Sequence, residues 1–257
     1  MKKILSALFL SLLLTASSVT AKGNFKIVKI PQEFNNDSWK LVARYKDTKE
    51  PINLSTYYDG YMFATVPSEN AEREIEAFIP EEVQFTDYSP EHYQFHMMGQ
   101  LAKKGVIKGN EKGEAKPFDN VTRAEATAMI MRFIGLDAKS EGGEPFEDVN
   151  EGDWFYNSVV TAYNAGIIVG DSEKTFSPDR DVTREEMTVM TARAITYAGL
   201  GYSGSSELVP TDRDAISDWA VFAYDMISGN AASDVDFTDP NNPRRALNPQ
   251  NSATRFD

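Results

Sequence analysis

Cysteine is absent from all 257 residues, which excludes disulfides, thiol chemistry and cysteine-held zinc. Histidine occurs only at His92 and His96. Their i, i+4 spacing suits a zinc helix, but Tyr93, Gln94 and Phe95 stand between them, so the general-base Glu of His-Glu-x-x-His is missing. The pair reads as a helix face beside a core. Positive charge is scarce: the formal net charge is −13. Such a surface repels nucleic acid and anionic lipid, so any bound anion has to be captured at a local basic site. No glycine-rich phosphate loop follows a strand, and Gly201-Tyr202-Ser203-Gly204 does not complete a nucleophile elbow. Asp234, Asp236 and Asp239 lack the glycine and terminal Glu of a calcium loop and read as a solvated acidic loop. The expectation is a protein that is not an enzyme and holds no cofactor and no metal.

Long apolar runs are also few. The one near the start, Ile4 to Leu14, follows Met1-Lys2-Lys3 and precedes Val19-Thr20-Ala21. That is the pattern of a signal peptide over 1–21, with a mature chain from Lys22. The run is shorter than the about 20 residues that span a bilayer, and no later segment is apolar enough, so no transmembrane segment is expected. With 41% hydrophobic residues the remainder can build real cores.

What is there is a repeat. Phe85-Thr86-Asp87 aligns with Phe146-Glu147-Asp148, and an aromatic follows each, Tyr93 and Trp154. Then come Gly105-Val106-Ile107-Lys108-Gly109 and Gly166-Ile167-Ile168-Val169-Gly170. Pro117 and Pro178 each stand six residues before an arginine, in Val121-Thr122-Arg123-Ala124-Glu125 and Val182-Thr183-Arg184-Glu185-Glu186. A weaker third copy begins near Asp212, with Trp219 as its aromatic, Leu247-Asn248-Pro249 as its loop and Ala253-Thr254-Arg255 as its end. Apolar spacing predicts helix, loop, helix in each copy: Val159, Ala162, Tyr163 and Gly166 share one face, and Met187, Met190, Ala194 and Ala198 another. Such units bury their faces only against one another.

Thr122-x-x-Glu125 and Thr183-x-x-Glu186 are capping boxes, and Thr254-x-x-Asp257 is a shortened one. They place Arg123, Arg184 and Arg255 at the first helical position, where a cation opposes the helix dipole. Recurrence of that unfavourable choice suggests a task. One is an anion site, with arginine beside free N-terminal amides. The other is pairing with an acidic neighbour such as Asp181 or Glu185.

The succession Phe-x-Asp, aromatic, Gly-Ile-Ile-x-Gly, Phe-x-Pro, Val-Thr-Arg-Glu-Glu resembles the S-layer homology repeat. Residues 146–200 match nearly throughout, with Phe176-Ser177-Pro178 intact. Residues 85–136 depart at Tyr93, for the usual Trp, and at Ala115, for the loop Phe. The third copy, 210–257, is degenerate and lacks its second helix. The resemblance implies mainly α-helical repeats in a pseudo-threefold arrangement; with the small N-terminal β domain that periodicity predicts, the protein is α+β. The resemblance also implies non-covalent attachment to the bacterial cell wall, through binding of pyruvylated secondary cell wall polysaccharide linked to peptidoglycan. Arg123, Arg184 and Arg255 would meet the acid group, and Trp154, Trp219, Gly109 and Gly170 match groove positions. A structural surface lattice acting by self-assembly is the alternative.

Residues 22–84 look different. Alternation from Trp39 to Lys46, and runs over Ile52–Tyr58 and Tyr61–Val66 about Asp59-Gly60, predict strands and a hairpin. Phe25–Ile30 and Arg73–Ile79 are further strands. Residues 137–145 and 201–209 read as linkers. The β domain carries none of the repeat signature, so it is expected to be dispensable for attachment. A missing third helix is expected to leave apolar faces around Met131 and Met190 partly open, with marginal stability and association through that seam.

Overall fold

A computed structural model describes residues 25–33, 40–88, 96–136, 145–200, 212–230 and 247–255. The signal peptide, Trp39, His92, Tyr93, the linker 201–209, nearly all of the linker 137–145 and the acidic loop at Asp234–Asp239 lie outside these residues. Among the described residues no helix is long and apolar enough to cross a membrane.

The N-terminal part is two packed antiparallel sheets. Strands β1 (Phe25–Pro31), β5 (Tyr61–Pro67) and β4 (Ser55–Tyr58) form one, in the order β1-β5-β4. Strands β3 (Pro51–Ile52), β2 (Val42–Tyr45) and β6 (Ile75–Phe78) form the other, in the order β3-β2-β6. Between them lies a core of Ala43, Tyr45, Ile52, Met62, Ala64, Val66 and Ile75. The β4–β5 turn has Asp59 at φ 46° and Gly60 at φ 77°, two left-handed residues as a tight hairpin requires. The expected strand over 52–58 is broken. The break falls at Asn53 and Leu54, and β3 and β4 lie in different sheets.

The helical part comprises α1 (His96–Lys103), α2 (Arg123–Ile134), α3 (Tyr156–Asn164), α4 (Arg184–Tyr197) and α5 (Asp218–Asn230). Helix α3 starts two residues after Trp154 and is followed by Gly166 at φ 69°, which reverses the chain. Helices α2 and α4 pack on each other, with Ile130, Met131, Ile134, Met190 and Ala194 in one shared core. Helix α5 lies against α4 through Ala220, Ala223, Val189 and Ala192.

Three backbone bonds join the copies in a closed cycle. The Val121 amide donates to Ala253 O (2.9 Å), the Ala253 amide to Val182 O (2.8 Å), and the Val182 amide to Val121 O (2.9 Å). Residues 247–255 are thus built into the same junction as the two clearer copies.

Among the described residues the expected open seam around Met131 and Met190 is not found. Met131 and Met190 are 2% and 5% exposed, in a core that also takes Phe25 and Leu54 from the β part. Apolar side chains from a distant part of the chain cover the α2 and α4 faces, which a reading of the repeats alone leaves bare.

Candidate functional site

The site residues stand where one repeat meets the next. Both capping boxes are formed: Thr122 Oγ1 accepts from the Glu125 amide and Glu125 Oε2 from the Thr122 amide, and Thr183 and Glu186 do the same. The next amides are not free. The Arg123 amide donates to Arg180 O (2.9 Å) and the Ala124 amide to Pro178 O (3.1 Å). The Arg184 amide donates to Asn251 O (2.9 Å) and the Glu185 amide to Pro249 O (3.0 Å). The helix N-termini are therefore consumed by the neighbouring repeat, so an anion pocket of open amides is not what these arginines adjoin.

Each arginine side chain reaches across in the same direction. Arg123 donates through Nε to Phe176 O (2.9 Å), through Nη2 to Val169 O (3.0 Å) and through Nη1 to Glu186 Oε1 (3.3 Å). Arg184 Nε donates to Leu247 O (2.7 Å). Arg255 donates to Ala115 O, to Lys108 O and to Glu125 Oε1 (2.8 Å). Phe176, Leu247 and Ala115 all stand two residues before their loop proline. The carboxylate partner, where one is seen, is the capping-box Glu of the next repeat. Of the acids adjacent in sequence, Glu185 turns to the Ser217 amide and hydroxyl (3.1 and 2.9 Å) at the start of α5. Asp181 accepts from Asn120 (2.6 Å).

Burial differs. Arg123 is 5% exposed, and that burial pulls its pKa below the usual arginine value. Arg184 and Arg255 are half-buried. Arg180, which the motif does not single out, braces the Arg123 junction. It grips Glu186 (2.6 Å) and Asp171 (3.1 Å). Burial alone would raise the Glu186 carboxyl, but bonds from Arg180 and the Thr183 amide, with the Arg123 charge, outweigh it and hold the group below its usual value.

The Asp that opens each copy, in Phe-x-Asp twice and as Asp212 in the third, has a task that sequence reading passed over. Asp148 accepts from the amides of Phe176 and Ser177 (2.8 and 2.7 Å), Asp87 from Ala115 and Lys116, and Asp212 from Leu247 and Asn248. The second residue of each pair is left-handed, at φ 58°, 51° and 48°. The recurrence of Asp ahead of each loop was a signal for this clamp. Asp148→Ala is expected to cost about 2 kcal/mol, since two amides lose a charged acceptor; urea unfolding measures it.

Gly170 has no room for a side chain: a Cβ would stand 2.2 Å from Ser172 O and 2.7 Å from both Phe146 Cε1 and Thr175 O. At Gly109 the nearest atom would be Phe85 Cε1, at 3.0 Å. Trp154 and Trp219 are 65% and 56% exposed. Trp219 and the exposed Phe222 border a cleft of about 420 Å³, over the α4 residues Arg193, Thr196 and Tyr197. Sequence reading missed Arg193 and Phe222, which lie outside the repeat motif. Arg184, nine residues before Arg193 on α4, is about 13 Å away along the axis. Arg184 therefore does not border the cleft beside Trp219. A hollow of about 450 Å³ bordered by Tyr57 to Gly60 belongs to the β hairpin and to no repeat junction. Among the described residues no cluster of His, Asp and Glu is suited to a metal ion.

Helix–loop–helix repeats, closed on one another and tied by recurrent arginines, define a modular repeat class of protein. The S-layer homology domain model matches residues 84–127 and 145–188. An amylopullulanase of Thermoanaerobacterium thermosulfurigenes is 37% identical over 60% of this chain and 8% of its own length. An endoglucanase of Bacillus sp. (strain KSM-635) is 29% identical over 73% of this chain and 20% of its own. The surface-layer 125 kDa protein of Lysinibacillus sphaericus is 30% identical over 56% of this chain and 12% of its own. The chain thus spans a fifth or less of these relatives. It is an S-layer homology domain protein, and its place is the bacterial cell surface, at the wall.

Proposed function

We propose that the chain attaches non-covalently to the cell wall by binding an anionic, pyruvylated secondary cell wall polysaccharide at its repeat junctions, and that it does no chemistry on that polymer. The observation that carries this is shared use. The same repeats occur in proteins named as an amylopullulanase, an endoglucanase and a surface-layer protein. A segment common to such different proteins serves what they share, which is their location. The pseudo-threefold arrangement of three repeats belongs to this proposal, supported by the closed cycle through Val121, Val182 and Ala253. In it the half-buried Arg184 and Arg255 contact the polymer's acid groups, and the exposed Trp154 and Trp219 stack on sugar faces. Arg123, buried and fully engaged, holds the junction, while Gly109 and Gly170 shape the loops.

Co-sedimentation with purified walls tests this, before and after removal of the non-peptidoglycan polymer. Binding is expected to be saturable and to vanish with the polymer. Arg184→Ala is expected to weaken it about tenfold and Arg184→Lys less, because lysine keeps the charge but loses the fork. Undiminished binding by both variants would remove Arg184 from the site. The S-layer relatives favour one second reading, a self-assembling lattice; sedimentation of the protein without walls would support that instead.

A further inference from the structure

We infer that the β part is not a displayed passenger but a working piece of the attachment module: Phe25 and the Asn53–Leu54 turn lock the C-terminal ends of α2 and α4, and so hold the repeat junctions in place. The second half of this rests on the proposed wall-binding role.

The β part has its own core between its two sheets, and Phe25 and Leu54 are not in it. Both belong to the repeat core instead, 1% and 2% exposed, together with Ile134, Met131, Met190 and Ala198. They come from one end of the β1-β5-β4 sheet: Phe25 opens β1 and pairs with Pro67, and Leu54 O accepts from the Thr65 amide of β5 (2.8 Å). Phe25 stands edge-on to Tyr197, the last residue of α4, with ring centroids 6.0 Å apart. One end of this sheet therefore reaches both helices of the central pair, Phe25 at α4 and the Asn53–Leu54 turn at α2.

The polar contacts fit the same purpose. A helix leaves its last carbonyls without internal partners. Asn53 Nδ2 donates to Arg132 O in the final turn of α2 (2.6 Å), and Lys104 Nζ, just past α1, donates to Asn53 O (2.8 Å). Asn53 is thus gripped by repeat 1 through backbone and side chain at once. Lys104 is half-buried, and desolvation at this place lowers its pKa to about 8. The break in the 52–58 strand falls at these same two residues, while Leu54 O keeps its bond to β5.

An independent domain and a locked one differ in unfolding. Calorimetry on the full chain is expected to give one transition, reported alike by the β part and the helices. Leu54→Ala is expected to lower that single transition by at least about 5 °C, and wall co-sedimentation is expected to be lost at the same lowered temperature. Should Leu54→Ala fail to fold, Asn53→Ala is expected to give a smaller shift of the same single transition. Two separate transitions, with the helices and wall binding unmoved by either variant, would overturn the inference. A single shifted transition in a protein that never binds walls would leave the lock standing and remove the attachment reading instead.

Discussion

Arg123→Ala is expected to destabilise the protein by about 3 kcal/mol, more than any other change at the recurrent arginines. The side chain is buried and its Nε, Nη1 and Nη2 each donate a bond. Removing it orphans Phe176 O inside the junction and empties the space beside the Phe176 ring, whose centroid lies 4.9 Å from the guanidinium carbon. Glu186 keeps Arg180, so the loss stops short of stranding a carboxylate. Arg123→Met, which refills the volume without the bonds, is expected to recover about 1 kcal/mol of the loss. Urea unfolding of the three proteins measures both steps. Arg184→Ala, at a half-buried position, is expected to cost clearly less. Equal costs at the two positions would mean that burial does not set the importance of these arginines.

Gly170→Ala is expected to be as severe, at about 3 kcal/mol or more, and Gly109→Ala to cost about 1 kcal/mol. The two glycines end matching blocks, yet their surroundings differ. At Gly170 a methyl group would meet two backbone carbonyls of the Ser172–Thr175 turn, and backbone does not step aside cheaply. At Gly109 the nearest atoms belong to the Phe85 side chain, at 3.0 and 3.2 Å, and the nearest backbone atom, Glu114 O, stands at 3.3 Å, contacts milder than those at Gly170. The midpoints of thermal unfolding, with circular dichroism at 222 nm as the probe, rank the two variants. The opposite order would show that the repeat 2 loop is looser than its contacts imply.

Much of the local structure was legible in advance. Threonine and glutamate three residues apart mark a helix start by bonds that close within one turn, so Thr122–Glu125 and Thr183–Glu186 locate α2 and α4 without outside help. Asp59-Gly60 fixes its hairpin the same way, through two left-handed residues. The matched Gly-aliphatic-Ile-x-Gly and Val-Thr-Arg blocks revealed the repeats because they reuse one local solution.

The partners of the functional side chains were not legible, because they lie far away in sequence. Arg123 finds its acceptors 46, 53 and 63 residues on, and Arg255 finds Glu125 130 residues back. Nothing within a repeat states whether its arginine faces solvent or the next repeat. That depends on how the copies close, and the closing bonds join backbone groups, which look alike in every sequence. Neighbouring Asp181 and Glu185 were reasonable partners by proximity, but Asp181, bridged to Thr122 ahead of the helix, meets Asn120, and Glu185 on α4 meets Ser217. The same limit hid the role of the β part. Leu54 sits in a run that reads as strand, and only the tertiary structure puts its side chain in the helical core instead of the core between the sheets. Periodicity and capping set which elements form; burial of their shared faces, a property of the whole chain, set what each of them meets.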